Sequence, residues 1–310
     1  MKNKIILAGG TGFLGRMLQL HFVGKGAEVV VLSRNAVGLD ASGRLVQWDG
    51  ETRGDSCREL EDCKAVINLA GRSLNCRYHA LNRRLIMDSR VNSTRVLGEA
   101  IRACADPPEV SLNSSTATIY KHSYDVAMDE TDGLIGSTPE AKDGFSIEVA
   151  RAWEEEFDAS ETMGTRKVAM RSAMVLGSES GSLFMVLRRL ARLGLGGRMG
   201  DGRQYVSWIH QDDFCCVVEW LIEGKEISGV VNVAAPNPLP NAEMMRLFRD
   251  AVGMPIGLPA TDWMLEIGAF VLRTETELII KSRRVVPRRL AELGFRFQYE
   301  NMADAVRDLE

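Results

Sequence analysis

A doubly wound parallel α/β sheet carrying a smaller C-terminal lobe is the fold class this sequence predicts. Three observations predict it. A short apolar run, residues 3–8, ends in a glycine cluster and passes at once into a helical pattern. Apolar runs of strand length then alternate with helical segments to about residue 174. Beyond about residue 175 the alternation gives way to glycine-rich stretches. The expected division is residues 1–174 for the sheet domain and 175–310 for a substrate lobe, with some strands and helices of the second part returning to the first.

The elements follow in order. Residues 3–8 read as a strand buried on both faces, because apolar residues run without alternation. Phe13, Leu14, Met17, Leu18 and Phe22 recur at helical spacing, and Gly24 and Gly26 stop that helix. Val29 to Leu32 is the second strand, Leu45 to Trp48 the third, and Ala65 to Ala70 the fourth. A long helical region runs from there to about Ala103. Pro107 and Pro108 break the chain before a fifth strand, Val110 to Asn113. A polar loop separates it from a helix near 145–161, and Val168 to Arg171 is the sixth strand. Glycines 194, 196, 197, 200 and 202 crowd a loop ahead of Val206-Ser207-Trp208-Ile209. A helix from Asp212 to Ile222 and a strand over Val230–Val233 come next. The remainder reads as helical and ends in Gly294-Phe295-Arg296-Phe297. These last segments are expected to pack over the ligand edge of the sheet.

Composition excludes several classes. The chain has 310 residues, of which 26% are charged, with a net charge of −4. That is too ordinary for a disordered chain or a nucleic-acid surface. The basic residues are dispersed, apart from Arg283, Arg284, Arg288 and Arg289. Cysteines 57, 63, 76, 104, 215 and 216 contain no C-x-x-C pair and have no accompanying histidine cluster, so no metal is expected. Cys215 and Cys216 lie in an apolar helical stretch and read as small buried residues. Reduced thiols and a cytoplasmic setting follow. Lys2 and Lys4 precede Ile5-Ile6-Leu7 as in a secretion signal, but glycines interrupt the run at once. No stretch approaches the ~20 apolar residues of a membrane span. The expected partner is therefore a small molecule, with neither nucleic acid nor membrane.

The glycine cluster carries the first chemistry. Gly9, Gly12 and Gly15 give G-x-x-G-x-x-G between a strand and a helix, with Thr11, Phe13 and Leu14 between them. The first glycine permits a tight turn. The second lets backbone approach a pyrophosphate, and the third lets helix and strand pack closely. Free amides at the helix start then face phosphate charge. This spacing in its strand–turn–helix context predicts a Rossmann dinucleotide site. The second strand ends in Ser33-Arg34, where a site preferring NAD carries an acidic residue for the ribose 2′-hydroxyl. Ser33 can bond a 2′-phosphate and Arg34 can neutralise it, so NADP (NADPH) is the expected cofactor. An Arg34 simply solvated after a strand is the alternative.

Further motifs carry a resemblance. Asn68-Leu69-Ala70-Gly71 follows the fourth strand, and Ser114-Ser115-Thr116-Ala117-Thr118-Ile119-Tyr120 covers the end of the fifth. With the glycine turn, these resemble the extended short-chain dehydrogenases/reductases. Val175-Leu176-Gly177, Leu193 to Gly197, Ser207 to Asp213, Asn232 to Ala242, Arg284 to Pro287 and Gly294-Phe295 narrow the match. Together they resemble an epimerase-like family sometimes labelled as SulA cell-division inhibitors. The resemblance covers nearly the whole chain. It implies a Rossmann core, NADP(H) bound by the glycine turn with Leu69, Ala70 and Gly71, an unassigned substrate, and a homodimer through helices flanking the sheet.

The chain departs from that superfamily where proton chemistry is done. Working members use Y-x-x-x-K, the tyrosine moving a proton and the lysine lowering its pKa and holding the ribose. Here the corresponding helix reads Phe145-Ser146-Ile147-Glu148-Val149, so Phe145 and Val149 occupy those places. Val149 should still lie near the nicotinamide ribose. Thr116 stands at the usual Ser/Thr position and could contact a carbonyl. Arg90 stands where asparagine is common; it could bind a phosphate or an anionic substrate, or be a solvated helix residue. Tyr120 could replace the missing acid or serve as a packing residue. His210 could be a general acid/base; alternatively it, or Asp212 and Asp213, helps cap the helix that follows. Arg203 and Gln204 could reach an anionic ligand. Two functions remain open: an NADP-dependent oxidoreductase or epimerase-type enzyme with non-standard proton donors, or a catalytically silent protein that senses NADPH or a metabolite.

Overall fold

The computed structural model describes residues 2–34, 39–40, 43–179, 182–261, 263–266 and 275–310, with the backbone alone at 39, 40 and 278. The strands are β1 (Lys4–Ala8), β2 (Glu28–Ser33), β3 (Leu39–Asp40), β4 (Gly43–Gln47), β5 (Ala65–Asn68), β6 (Val110–Thr116), β7 (Arg166–Ser172), β8 (Met174–Leu176), β9 (Tyr205–Val206), β10 (Trp208–His210), β11 (Gly229–Val233) and β12 (Leu239–Pro240). The longer helices are α1 (Phe13–Gly24), α2 (Ala80–Ala103), α3 (Gly144–Ala159), α4 (Leu183–Arg192), α5 (Gln211–Glu223) and α6 (Asn241–Ala251). Shorter helices near the end are α7 (Glu277–Ile280), α8 (Arg288–Glu292) and α9 (Met302–Leu309).

The main sheet has the order β11-β7-β6-β5-β1-β2-β4-β3. All its pairings are parallel except the short β3–β4 edge. Strand sequence explains this: Ile5 and Leu7 face one way, Ile6 and Ala8 the other, and both faces are buried. On one face Ile5, Leu7, Val29 and Val31 pack with Met17, Leu18 and Phe22 of α1 and Phe214, Val217 and Leu221 of α5. On the other, Ile6, Val30 and Val66 pack with Val96, Leu97 and Ile101 of α2. The doubly wound sheet is thus as the sequence predicts. The strand expected over Leu45 to Trp48 is β4, which begins slightly earlier, at Gly43, and ends at Gln47.

Beyond residue 175 the elements divide. Helix α5 and strand β11 join the sheet layers. A second apolar cluster joins α4, α6 and α9 through Phe184, Leu187, Met244, Phe248, Met302 and Val306, with Trp208. Helix α4 is not among the expected elements, although its pattern is amphipathic: Phe184, Leu187 and Ala191 are buried on one face while Arg189 and Arg192 are exposed. Its start is fixed locally by Ser182, whose hydroxyl accepts from the Met185 amide at 3.3 Å. The six cysteines are unpaired; Cys215 is buried, and Cys216 is only half-buried. Among the described residues no helix is long and apolar enough to cross a membrane.

Candidate functional site

The carboxyl ends of β1, β2 and β5 lie nearly level at one edge of the sheet, and β6 runs on past them to Thr116. Ala8 is in register with Leu32 and with Asn68, and Asn68 with Asn113. The chain runs from β1 outward to β2 and β4, then returns to β5 on the other side and continues to β6. A crevice opens where the winding reverses, at the end of β1, and this is where open α/β sheets bind ligands.

The glycine turn occupies that crevice. Gly9 has φ +75°, and a Cβ there would lie 2.6 Å from the Ala70 Cα. A Cβ on Gly15 would fall 2.1 Å from the Gly10 carbonyl oxygen, so α1 packs onto its own entry loop. Gly12 differs: no heavy atom lies within 4 Å of its Cβ position. Gly12 also begins α1 without a side-chain cap, and the first turn holds no acidic residue. Its amides are therefore free to take an anion. Gln19, on the buried face of α1, donates to the Gly10 carbonyl at 2.6 Å and holds the loop. Arg16 donates to the Thr11 carbonyl at 2.8 Å and pairs with Glu179 at 2.7 Å. Thr11 itself is exposed, while Phe13 and Leu14 are half-buried. An open Gly12 above uncapped amides fits a dinucleotide pyrophosphate.

Two neighbouring strand ends complete the cofactor side. Ser33 is buried at the end of β2 and Arg34 is exposed beside it. After β5, Asn68 accepts from the Ala70 amide at 3.0 Å and donates to Asn113 at 2.8 Å and Thr94 at 3.1 Å. Trp153 of α3 donates to the same Thr94 hydroxyl at 3.0 Å. This network fixes the course of Leu69, Ala70 and Gly71. Arg90 sits beneath it, 9% exposed, so the solvated alternative is excluded. Its guanidinium lies 5.1 Å from the Trp153 ring and donates to the Ile86 and Arg72 carbonyls at 3.1 and 3.2 Å. A Cβ on Gly71 would lie 3.1 Å from its Cζ. No carboxylate among the described residues pairs with it. Burial lowers its pKa to about 10, which leaves it charged at neutral pH.

A second group of residues gathers at the start of α3. Phe145 and Val149 are buried in an apolar cluster with Ile86, flanked by Tyr78 and Met87. Tyr78 meets Phe145 edge-on at 5.1 Å between ring centroids, and the Arg83 guanidinium lies 4.8 Å from the Phe145 ring centroid. A cleft of about 470 Å³ opens there, bordered by Tyr78, Arg83, Lys142, Phe145 and Glu277. Glu277 accepts a hydrogen bond from the Ser146 hydroxyl, and burial raises its pKa. Thr116 ends β6; its hydroxyl oxygen accepts from the Thr118 amide at 3.1 Å, which leaves its hydrogen available to a ligand.

Two sequence candidates are committed elsewhere, and the expectation that they act as acids is corrected accordingly. Tyr120 is 2% exposed; its hydroxyl donates to Asn232 at 2.9 Å and accepts from Arg171 at 3.0 Å. Arg171 is held in turn by Glu154 at 2.7 Å. His210 is 0% exposed, and its Nδ1 accepts from the Asp212 amide at 3.2 Å at the start of α5. The capping alternative is the one the geometry supports. His210, Asp212 and Asp308 offer ligand atoms within 4.8 Å of one another. With Nδ1 accepting, however, the ring proton sits on Nε2, 3.3 Å from Asp308, and no lone pair remains for a metal. Gln204 is buried; its amide nitrogen donates to the Met199 carbonyl at 2.8 Å and its Oε1 has no partner among the described residues, whereas Arg203 is exposed and stacks on Tyr124.

Sequence reasoning missed Gln19, Tyr78, Glu277 and Lys281. Gln19 had a signal, a polar residue at a core-facing position beside Met17, Leu18 and Phe22. Lys281 had another, a lysine directly after Ile279-Ile280. Tyr78 and Glu277 had none, because their place beside Phe145 depends on how two distant segments fold over α3.

Comparison with known proteins agrees with this arrangement. Residues 5–234 match the family described as NAD dependent epimerase/dehydratase family, and residues 260–309 match a domain of unknown function, DUF1731. The epimerase family protein YfhF of Bacillus subtilis (strain 168) is 32% identical, over 98% of this chain and 97% of its own. The epimerase family protein SDR39U1 of Bos taurus is 30% identical, over 99% of each. The crystal structure of human epimerase family protein SDR39U1 (isoform 2) with NADPH superposes with a TM-score of 0.83 at 26% identity, covering 99% of this chain and 98% of that one.

Proposed function

We propose, from the premise that this chain belongs to the NAD dependent epimerase/dehydratase family, that it is an NADP(H)-dependent oxidoreductase acting on a small carbonyl or carbinol compound, free or nucleotide-sugar-like. The observation that carries this reading is the cleft at Phe145. It opens beside the helix on which relatives place their proton donor, and hydroxyl and carboxyl groups border it. A protein that only held a dinucleotide would have no use for such a cleft.

NADP(H) is the cofactor in this reading. Gly12 and the uncapped start of α1 take the pyrophosphate. Ser33 and Arg34 take the 2′-phosphate, and Arg90 faces the ribose side past Gly71. The NADPH in the human SDR39U1 crystal structure supports the choice. When bound, the nicotinamide supplies or accepts a hydride. The chain's own residues orient the substrate, exclude water and move the proton, with Thr116 as one hydrogen-bond donor. Six unpaired cysteines fit a cytoplasmic setting.

A second reading is favoured by one observation. Phe145 and Val149 are packed as apolar wall and carry no proton chemistry. A binding protein that senses NADPH or a metabolite would look the same there. The decisive experiment incubates the protein and NADPH with panels of aldehydes, ketones, diones and nucleotide sugars and follows absorbance at 340 nm. Turnover supports the enzyme. Tight NADPH binding with no turnover across the panels supports the sensor.

A further inference from the structure

We propose that Tyr78 donates the hydrogen bond, and then the proton, to the substrate's carbonyl oxygen, so that the loop after β5 supplies what a tyrosine on α3 supplies in relatives. This rests on the reductase reading above.

The geometry comes first. Tyr78 lies against Phe145 at 5.1 Å between centroids, so its ring is the immediate neighbour of the residue that has lost the hydroxyl. The Tyr78 ring lines the cleft, while its hydroxyl oxygen is shielded from solvent and has no partner in hydrogen-bond geometry among the described residues. A residue that served only as an aromatic wall would do better as phenylalanine, because a buried hydroxyl without a partner is destabilising. The residue is also anchored: its amide donates to Glu275 at 2.7 Å, and its carbonyl accepts from Arg83 at 2.9 Å. The backbone is thus fixed on both sides, as a positioned donor requires.

The surroundings set the direction of proton flow. Ser146 approaches the phenol but gives its own hydrogen to Glu277. Burial, with Glu277 adding to it, holds the phenol ionisation above the usual range, so Tyr78 keeps its proton at neutral pH. It is therefore a donor and a poor base. Burial likewise raises the Glu277 carboxyl. Arg90 on the cofactor side and Arg283 on the C-terminal side both feel the Tyr78 hydroxyl, and their positive charges would stabilise a transient phenolate.

The step balances as follows. The carbonyl carbon receives a hydride, with its electron pair, from the reduced nicotinamide of NADPH. The C=O π pair moves to oxygen, which takes the phenolic hydrogen of Tyr78. The phenolate regains a proton from water. The sum is carbonyl plus NADPH plus H⁺ giving carbinol plus NADP⁺.

The test uses the full chain, with 9,10-phenanthrenequinone and diacetyl as probes. Turnover at 340 nm is measured for the parent and for Tyr78→Phe, alongside the carbonyl stretch of each probe bound to the protein with NADP⁺. The expected result is a kcat about 100-fold lower or more in Tyr78→Phe, a KM changed far less, unaltered NADPH affinity, and loss of the hydrogen-bond shift in the carbonyl stretch. Substituting Tyr78→Phe removes one oxygen and should leave thermal stability equal or higher. A Tyr78→Phe protein that turns over at the parent rate, or keeps the shifted stretch, overturns the role of Tyr78 and leaves the reductase reading standing. A parent protein that neither binds nor reduces these probes, nor any carbonyl of the wider panels, overturns the reductase reading and this role with it.

Discussion

The Lys281 ammonium lies 2.5 Å from the Asp143 carboxylate, and the two side chains are 1% and 0% exposed. Lys281 also donates to the Thr118 carbonyl at 2.5 Å, and Asp143 accepts from the Thr138 amide at 3.0 Å. One lysine from the C-terminal segment thus fastens the turn after β6 to the start of α3, where the cleft opens. Burial lowers the Lys281 pKa to about 8, against the pull of Asp143. Removing one partner leaves the other charge buried alone, which costs about 3–5 kcal/mol, whereas removing both is often near neutral. Lys281→Met should therefore lower stability in urea unfolding by that order. The double variant Lys281→Met with Asp143→Asn should recover most of the loss. A single variant as stable as the parent would show that the pair does not join these segments.

Cofactor preference follows from the end of β2. With Ser33 and Arg34 in place of an acidic residue, NADPH should bind more tightly than NADH. A charge-assisted bond to the 2′-phosphate contributes roughly 1.5–3 kcal/mol, or about 10- to 150-fold in affinity. Fluorescence titration of both dinucleotides measures this. Arg34→Ala should bring the two affinities together. Equal affinities in the parent would remove the basis for choosing NADP.

Gly12 offers a cleaner perturbation than its neighbours. A side chain at Gly9 or Gly15 would strike backbone at 2.6 or 2.1 Å, so a loss of binding there would be confounded with misfolding. A side chain at Gly12 meets nothing within 4 Å in the ligand-free fold. Gly12→Val should keep the circular dichroism and melting temperature of the parent and abolish dinucleotide binding. Retained affinity in the folded variant would mean that the pyrophosphate sits elsewhere.

How much of this was legible in sequence depends on how local the cause is. The strands of the main sheet are legible because burial on both faces imposes unbroken apolar runs, as at Val29 to Leu32. The cofactor side is legible because Gly9, Gly12 and Gly15 act within one turn. Helix α4 was legible too, with Phe184, Leu187 and Ala191 on one buried face and Arg189 and Arg192 exposed, although the expected elements do not include it. The proton chemistry was not legible. His210 and Tyr120 look like acids in sequence, yet one caps α5 and the other bonds Asn232 and Arg171. Tyr78 looks like nothing in particular until the fold lays it on Phe145. Reactive partners meet through segments distant in sequence, and no local spacing encodes that meeting.

His210 predicts a pH dependence of stability. Burial lowers its pKa, and the nearby carboxylates of Asp212, Asp308 and Asp213 partly restore it. Its ring also lies 3.8 Å from the Tyr299 ring, measured between centroids. The unfolded chain, titrating near pH ~6.5, then binds the proton more readily than the folded one. The stability this neutral histidine contributes is present above about pH 6.5 and is lost as pH falls below it. The buried Asp213 carboxyl, whose pKa is raised by burial, works in the opposite sense and is held constant by comparing variants. His210→Asn keeps a capping acceptor and removes the titration. The melting temperature of the parent should fall more steeply between pH 7 and pH 5 than that of His210→Asn. Parallel curves would mean that His210 keeps an ordinary pKa.

The last prediction concerns the charge that the missing lysine would have carried. Val149 precedes Trp153 by one helical turn on α3, and the Arg90 guanidinium lies over Trp153 while bonding the Ile86 carbonyl. Val149 packs against that same Ile86. Arg90 therefore brings a cation from α2 close to the place where the Y-x-x-x-K pattern puts its lysine. Arg90→Ala should weaken NADP(H) binding about 10-fold or more, the loss of a hydrogen bond to a charged group. Phe145→Ala should change dinucleotide affinity little. Val149→Lys with Arg90 retained should destabilise the fold, since two buried cations would face each other across α2 and α3. Combining Val149→Lys with Arg90→Asn should relieve that repulsion, because asparagine carries no charge. Adding Phe145→Tyr then restores the superfamily's tyrosine and lysine together, and carbonyl reduction in this triple variant should no longer depend on Tyr78. Melting temperatures and turnover at 340 nm distinguish the outcomes. If Val149→Lys is equally tolerated with Arg90 and with Arg90→Asn, the two positions do not share one charge site, and Arg90 serves some other anion.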